Sequence, residues 1–247
     1  YGALSLTAFS KVLPRIYKNL EGQPAGSNTI MVTIDGLYRY ASDRGLWSQP
    51  LPTRDANGKH RFQKYQQKAR ERFLTLEQIQ DLFAAADKQD DHWGDYWRLA
   101  ILTGIRMGDL SSLEWDAVDL ANETITLSHS KSGAYTIAIP GESLVILKRR
   151  YKTRIKNNKY VFPSPRKPGR HTVGYHLSWK HIRESVPALA DARPHDCRRS
   201  TGSHLAMNNI SLPVIAAQLG HKPGSRATHI YARLDLQSQR SAASALD

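Results

Sequence analysis

Residues 123–140, ETITLSHSKSGAYTIAIP, constrain the fold more than any other part of this chain. Apolar and polar side chains alternate on both sides of a Ser-Gly turn, the period-two pattern of a β-hairpin with one buried face. Elsewhere the apolar residues recur at helical spacing. A single hairpin therefore sits among helices, and a βαβ repeat with its several buried parallel strands does not fit. The expected fold is mainly α with a small antiparallel β-sheet, an α+β architecture.

The 247 residues suffice for one large domain with a smaller companion. LTAFSKVLPRIYKNL (6–20) has helical apolar spacing that Pro14 is expected to break. SNTIMVTIDGLYRYASDRGLW (27–47) carries one apolar stripe, with Ser27 or Asn28 as N-cap. Residues 1–52 are read as a partial helical domain. Prolines, a glycine and a basic run without an apolar face make 53–72 a connector. The larger domain, 73–247, opens at LTLEQIQDLFAAAD, where Thr75 and Gln78 are spaced as a capping box. YWRLAILTG reads as a buried helix ending at Gly104, and MGDLSSLEWDAVDL as a short helix and a turn. From Ser211 the pattern is again helical, with a break at KPGS.

The formal charge of +13 calls for a polyanionic partner, and nucleic acid fits it better than a membrane surface. From Lys148 to Arg183 there are twelve lysines and arginines and no acid, whereas a merely solvated face mixes its signs. Lys148, Arg149, Arg150, Lys152, Arg154, Lys156, Arg166, Lys167 and Arg170 are therefore candidate contacts to a phosphate backbone. The connector adds Arg54, Lys59, Arg61, Lys64, Lys68, Arg70 and Arg72. No apolar run reaches membrane-spanning length, so no membrane partner is expected. Cys197, the single cysteine, excludes an internal disulfide and a CxxC site. Neither HExxH nor a DxD-type cluster occurs, so neither metal nor cofactor is expected. The simplest setting is the cytoplasm, and the nucleoid in a bacterial or archaeal cell.

The candidate chemistry is spread over four places. RPHDCRRSTGSHL (193–205) gathers arginines around two histidines just after a proline, in the first turn of an expected helix, where amides and macrodipole favour an anion. His195 and Arg198, three apart, share a face of that helix. Arg106 follows a buried helix at a glycine-rich break. Lys131 sits at the hairpin tip, and LGHKPGSRATHIYARL ends one helix near His221 and carries Tyr231 on the next. Each feature alone has an ordinary structural reading: a helix cap, a solvated charge, a packed ring.

Together they resemble the catalytic domain of the tyrosine recombinases, the phage-integrase group. TGIRMGD is similar to that family's T-G-x-R-x-x-E/D pattern, HDCR to its H-x-x-R, and LGH to its L-G-H, with Tyr231 ten residues further on. The resemblance runs from about Phe73 to the C-terminus. It implies the tyrosine-recombinase catalytic fold behind part of a helical core-binding domain, of whose roughly four helices two are legible. It further implies metal-independent DNA strand exchange through a covalent 3′-phosphotyrosyl intermediate. The implied catalytic residues are Arg106, Lys131, His195, Arg198, His221 and Tyr231, with Asp109 in support.

The implied partner is double-stranded DNA with specific attachment sites, bound by a homotetramer that is a monomer without DNA. An integrase or excisionase of a phage or other mobile element fits best, and the terminal SQRSAASALD could pack on a neighbouring subunit. Type IB topoisomerase-like cleavage and rejoining remains open, as does a non-catalytic DNA-binding regulator on the same scaffold.

Overall fold

A computed structural model of the chain describes residues 5–19, 24–62, 65–66, 70–131 and 133–222, together with 225, 228, 230 and 231. It divides into two compact units, Tyr1–Arg70 and Glu71–Asp247.

In the first unit, helix α1 (Leu6–Asn19) packs on helix α2 (Pro24–Asp43). Pro14 lies inside α1 rather than ending it. The fully buried Leu13 beside it belongs to a cluster with Ile34, Tyr38, Ala41 and Trp47, and that burial outweighs one lost backbone hydrogen bond. Helix α2 starts upstream of the expected cap. Ser27 is buried within it, and the amide of Asn28 exchanges two hydrogen bonds with the backbone of Tyr65, at 2.8 and 2.9 Å.

Of the stretch expected to be a connector, residues 53–70 fall in the first unit and Arg72 in the second. The Thr53 hydroxyl donates to Asp35 at 2.6 Å, and the Arg54 guanidinium bonds both oxygens of the same carboxylate. Burial opposes the charge on Asp35, but the Thr53 and Arg54 hydrogen bonds prevail and bring its pKa to about 2.

The second unit opens with α3 (Leu76–Asp87), whose capping box joins Thr75 and Gln78 as the spacing predicts. Helix α4 (Asp91–Thr103) is capped by Asp90 and closed by Gly104 at φ 67°, a left-handed position that glycine occupies without strain. A short α5 (Met107–Ser111) follows. Strands β1 (Val118–Asp119), β2 (Thr124–Leu127) and β3 (Tyr135–Ala138) form one antiparallel sheet in sequence order, with Ile125 opposite Ile137 and Leu127 opposite Tyr135. Ile125, Leu127 and Ile137 enter the core and the alternate residues face outward, so the hairpin is the one its alternation predicts.

Helices α6 (Gly141–Lys152), α7 (Tyr175–Ser185), α8 (Pro194–Met207) and α9 (Leu212–Gln218) complete the unit. Helix α4 lies at its centre, against α3, α6 and α8. Tyr96, Trp97, Phe162 and Trp179 fill the space between them.

Among the described residues no helix is long and apolar enough to cross a membrane, and no three His, Cys, Asp or Glu side chains group to hold a metal ion. Residues Lys64, Lys68 and SQRSAASALD lie outside the described residues.

Candidate active site

Helix α8 brings the HDCR segment to the unit's interior. Pro194 occupies its first turn, where no backbone donor is needed, and the Asp196 carboxylate accepts the Arg193 N–H at 2.9 Å. His195 and Arg198 then face the same cleft as Arg106, Lys131 and His221. Its volume is about 480 Å³, and Lys222 and Ser225 complete the lining. Residues from the N-cap of α5, the hairpin tip, α8 and the segment after α9 meet here, so the fold assembles five of the six expected residues on one surface.

The two arginines are held by glycine turns of other motifs: Arg198 by the turn that precedes Arg106, and Arg106 by the LGH turn. Arg198 is 2 % exposed and donates to the Gly104 carbonyl at 2.8 Å and to the Leu219 carbonyl. Arg106 donates to the Gly220 carbonyl at 3.3 Å and to the Ser130 hydroxyl at 2.9 Å. Both turns are closely packed. A Cβ on Gly104 would meet Leu219 Cδ2 at 2.6 Å, and one on Gly220, at φ 56°, would meet the ring of Tyr135 at 2.5 Å. Glycine there serves a left-handed backbone and a close approach at once. The arginines converge because the turns that carry their acceptors do.

Asp109, in the first turn of α5, accepts from Ser130 at 2.8 Å and lies 3.8 Å from Arg106. Tyr231 lies in helical backbone and is 3 % exposed, packed with Ala206, Ile215 and Leu219. It does not line the cleft. Its ring is parallel to that of His221, with centroids 6.5 Å apart, and rests on Gly202 of α8.

Charge crowding shapes the titration of this site. Burial, then the charges of Arg198 and Arg106, pull His221 down to about 4. Burial and the Arg198 and Arg199 charges lower His195 as well. Burial pushes the Tyr231 phenol up, against the pull of Arg198 and Arg199. A neutral-pH site with two guanidinium groups and two uncharged imidazoles is arranged for an anion.

The expected backbone contacts divide into two kinds. Arg150 is internal: its side chain is 14 % exposed, bonds Asp95 at 3.0 Å and the Val161 carbonyl, and covers the Phe162 ring. Arg149 also reaches Asp95, though it is mostly exposed. Arg54 is engaged with Asp35, and Arg72 with Asp191, Gln78 and the Phe73 carbonyl. For Arg54, Arg72 and Arg150 the expected surface role gives way to bracing, because each finds a carboxylate inside its own unit. Arg70 is partly exposed and engaged in an interaction of its own. Lys59, Arg61, Lys148, Lys152, Arg154, Lys156, Arg166, Lys167 and Arg170 are exposed.

Sequence reasoning passed over Ser130, Tyr135, Lys222 and Ser225. Each adjoins a motif, but nothing in the local pattern separates it from an ordinary turn or strand residue.

The chain is similar to known proteins at both levels. It is 24% identical over 243 residues to the tyrosine recombinase XerC of Pseudomonas putida, covering 95% of this chain and 78% of that protein. The Tn1549 transposon integrase, solved in complex with circular intermediate DNA, superposes with a TM-score of 0.62 at 15% identity, over 93% of this chain and 81% of that one. A lambda integrase tetramer bound to a Holliday junction gives 0.63 at 20% identity, over 90% and 64%. The phage integrase family pattern matches residues 72–238, the whole span that supplies the cleft and Tyr231, and the chain belongs to that family.

Proposed function

We infer that this chain is a site-specific DNA recombinase that cleaves and rejoins strands through a tyrosine-linked intermediate. The convergence of Arg106, Lys131, His195, Arg198 and His221 on one cleft, with Tyr231 packed behind His221, carries this reading. A phosphodiester entering the cleft meets two guanidinium groups on its nonbridging oxygens, where charge grows in the transition state. The Tyr231 oxygen attacks phosphorus; its bond to phosphorus forms as the bond to the 5′ oxygen breaks. His195 takes the phenolic proton and Lys131 supplies one to the departing 5′ oxygen, so protons balance. Attack by a 5′-hydroxyl of another strand reverses these steps and needs no high-energy cofactor.

Tyr231 must leave its slot on Gly202 for this attack, so DNA binding and movement of its helix are coupled in this reading. The DNA partner carries specific attachment sites, and a homotetramer on paired sites performs the exchange, as the tetrameric assembly of the lambda integrase suggests by analogy. The first unit contributes core-site contacts through Lys59 and Arg61. Integration or excision of a mobile element is the accompanying role, and the nucleoid the place of action. Relaxation by rejoining the original ends, or regulation without chemistry, is less well supported, since XerC is named as a recombinase.

The test is covalent capture. Nicked duplexes from a random-sequence pool are incubated with the chain, and adducts are isolated under denaturing conditions. A DNA-linked peptide containing Tyr231 is expected, and absence of any adduct would sink the reading.

A further inference from the structure

The hydroxyl of Ser130 is placed between two groups of the arginine side of the cleft. It donates to Asp109 Oδ2 at 2.8 Å and accepts from Arg106 Nη1 at 2.9 Å. Arg106 and Asp109 themselves stand 3.8 Å apart, beyond a direct hydrogen bond, so the hydroxyl mediates their contact. A serine hydroxyl has one proton and two lone pairs, and with the proton on a carboxylate and a lone pair on a guanidinium its orientation is fixed.

Ser130 belongs to the hairpin and Asp109 to α5, so this is a cross-link between elements rather than a local cap. It also begins the tip: its carbonyl accepts the Gly133 N–H at 2.9 Å, closing a turn over Lys131. Lys131 is exposed and lines the cleft. Without the Ser130 side chain, the lysine would be carried by a solvent-facing turn whose first residue has no tie to the arginine side.

We propose that Ser130 is a positioning residue that fixes the Lys131 hairpin against Arg106 and Asp109, setting the proton donor and the arginine clamp in register. This rests on the recombinase reading, in which Lys131 protonates the departing 5′ oxygen. Hydrogen bonds to charged groups on both sides make the loss of the hydroxyl worth about 10–100-fold in cleavage rate.

The experiment measures single-turnover cleavage by wild type, Ser130→Ala, Ser130→Thr and Lys131→Ala on a nicked duplex selected by covalent capture on the wild-type chain. A second duplex of the same sequence has sulfur in place of the bridging 5′ oxygen, and its thiolate leaves without a proton. Ser130→Ala should bind the oxygen duplex as wild type does, cleave it 10–100-fold more slowly, and recover in Ser130→Thr. Its defect should shrink on the sulfur duplex in parallel with that of Lys131→Ala. A wild-type rate for Ser130→Ala overturns the proposal. So does a defect equally large on sulfur and oxygen, which places the effect on the arginine alone, or a failure of Ser130→Thr to recover. A thermal melt accompanies each variant; if Ser130→Ala unfolds, Ser130→Cys, whose thiol is only a weak donor and acceptor, replaces it, and a wild-type rate or a defect equally large on sulfur and oxygen overturns the proposal in the same way. If the wild-type chain forms no adduct with any duplex, the recombinase reading fails and takes this proposal with it.

Discussion

The phenol ring of Tyr231 lies directly on the backbone of Gly202, so that a Cβ at position 202 would come within 2.7 Å of the phenol oxygen and closer still to the ring. Gly202 is inside α8 with no left-handed φ to explain it. Alanine there should stabilise a helix by roughly 0.5–1 kcal/mol, but overpacking against the ring costs about 1–3 kcal/mol. Gly202→Ala is therefore expected to destabilise the wild-type chain and to stabilise a Tyr231→Ala background. Denaturant melts of the four proteins measure this change of sign. The same sign in both backgrounds would place the ring elsewhere.

Tyr231→Phe keeps the ring and its packing while removing the oxygen proposed to form the bond to phosphorus. DNA affinity should stay near wild type and covalent adduct should fall to background on a denaturing gel. Tyr40→Phe and Tyr151→Phe, on exposed rings, serve as controls. Tyr135→Phe does not, because the Tyr135 hydroxyl is buried and responds to the Arg198 and Arg106 charges. Adduct formed by Tyr231→Phe at the wild-type rate would remove the proposed nucleophile.

The two arginines should differ in what their loss does to folding. Arg106→Ala leaves a partly exposed gap and is expected to lower cleavage on the order of 100-fold with little change in melting. Arg198→Ala lowers cleavage as much but also leaves the buried Gly104 and Leu219 carbonyls without their donor, costing about 1–3 kcal/mol for each. Paired cleavage and melting measurements separate the two, and equal stability would contradict the buried bracing role of Arg198.

Proton binding should be linked to DNA binding. The free site holds His221 at about 4 through burial and two arginine charges. A phosphate beside those charges offsets their repulsion and moves the imidazole up. The bound state then takes up protons, so affinity is expected to rise as pH falls from about 6.5 toward 4, with a limit of about tenfold per pH unit for one histidine. His221→Gln should flatten this dependence in binding titrations. A wild-type affinity that is constant or falls over that window would reverse the sign.

Salt dependence should sort the basic residues by exposure. Replacing exposed Arg166, Lys167 or Arg170 with alanine is expected to reduce the slope of log affinity against log salt by up to about 0.9 per contact. Arg150→Ala should leave the slope alone and destabilise the fold by about 1.5–3 kcal/mol, since it removes one of the two charged partners of the buried Asp95. A slope change for Arg150→Ala without loss of stability would return it to the DNA-contacting set.

The sequence by itself determined the hairpin, the capping box at Thr75, the helix opening at Pro194 and the residue types of the site. Each of these is written within a few positions: alternation of period two, a side chain three residues from its backbone partner, an arginine beside a glycine turn. Helices α6 and α7 were less legible, because their exposed faces are basic and the charge pattern masked the apolar stripe of Leu144, Ile146 and Leu147 and of Trp179 and Ile182. What a charge does was decided only in three dimensions. Arg150 and Arg166 look alike in the chain, yet one meets a carboxylate 55 positions away and the other meets solvent. The crossed anchoring of Arg198 on Gly104 and Arg106 on Gly220 likewise joins residues about a hundred positions apart. The seat of Tyr231 on Gly202 joins residues 29 positions apart, and no local spacing encodes such pairings. They follow from which surfaces the core brings together, and burial there sets both the partner of each charge and the protons it holds.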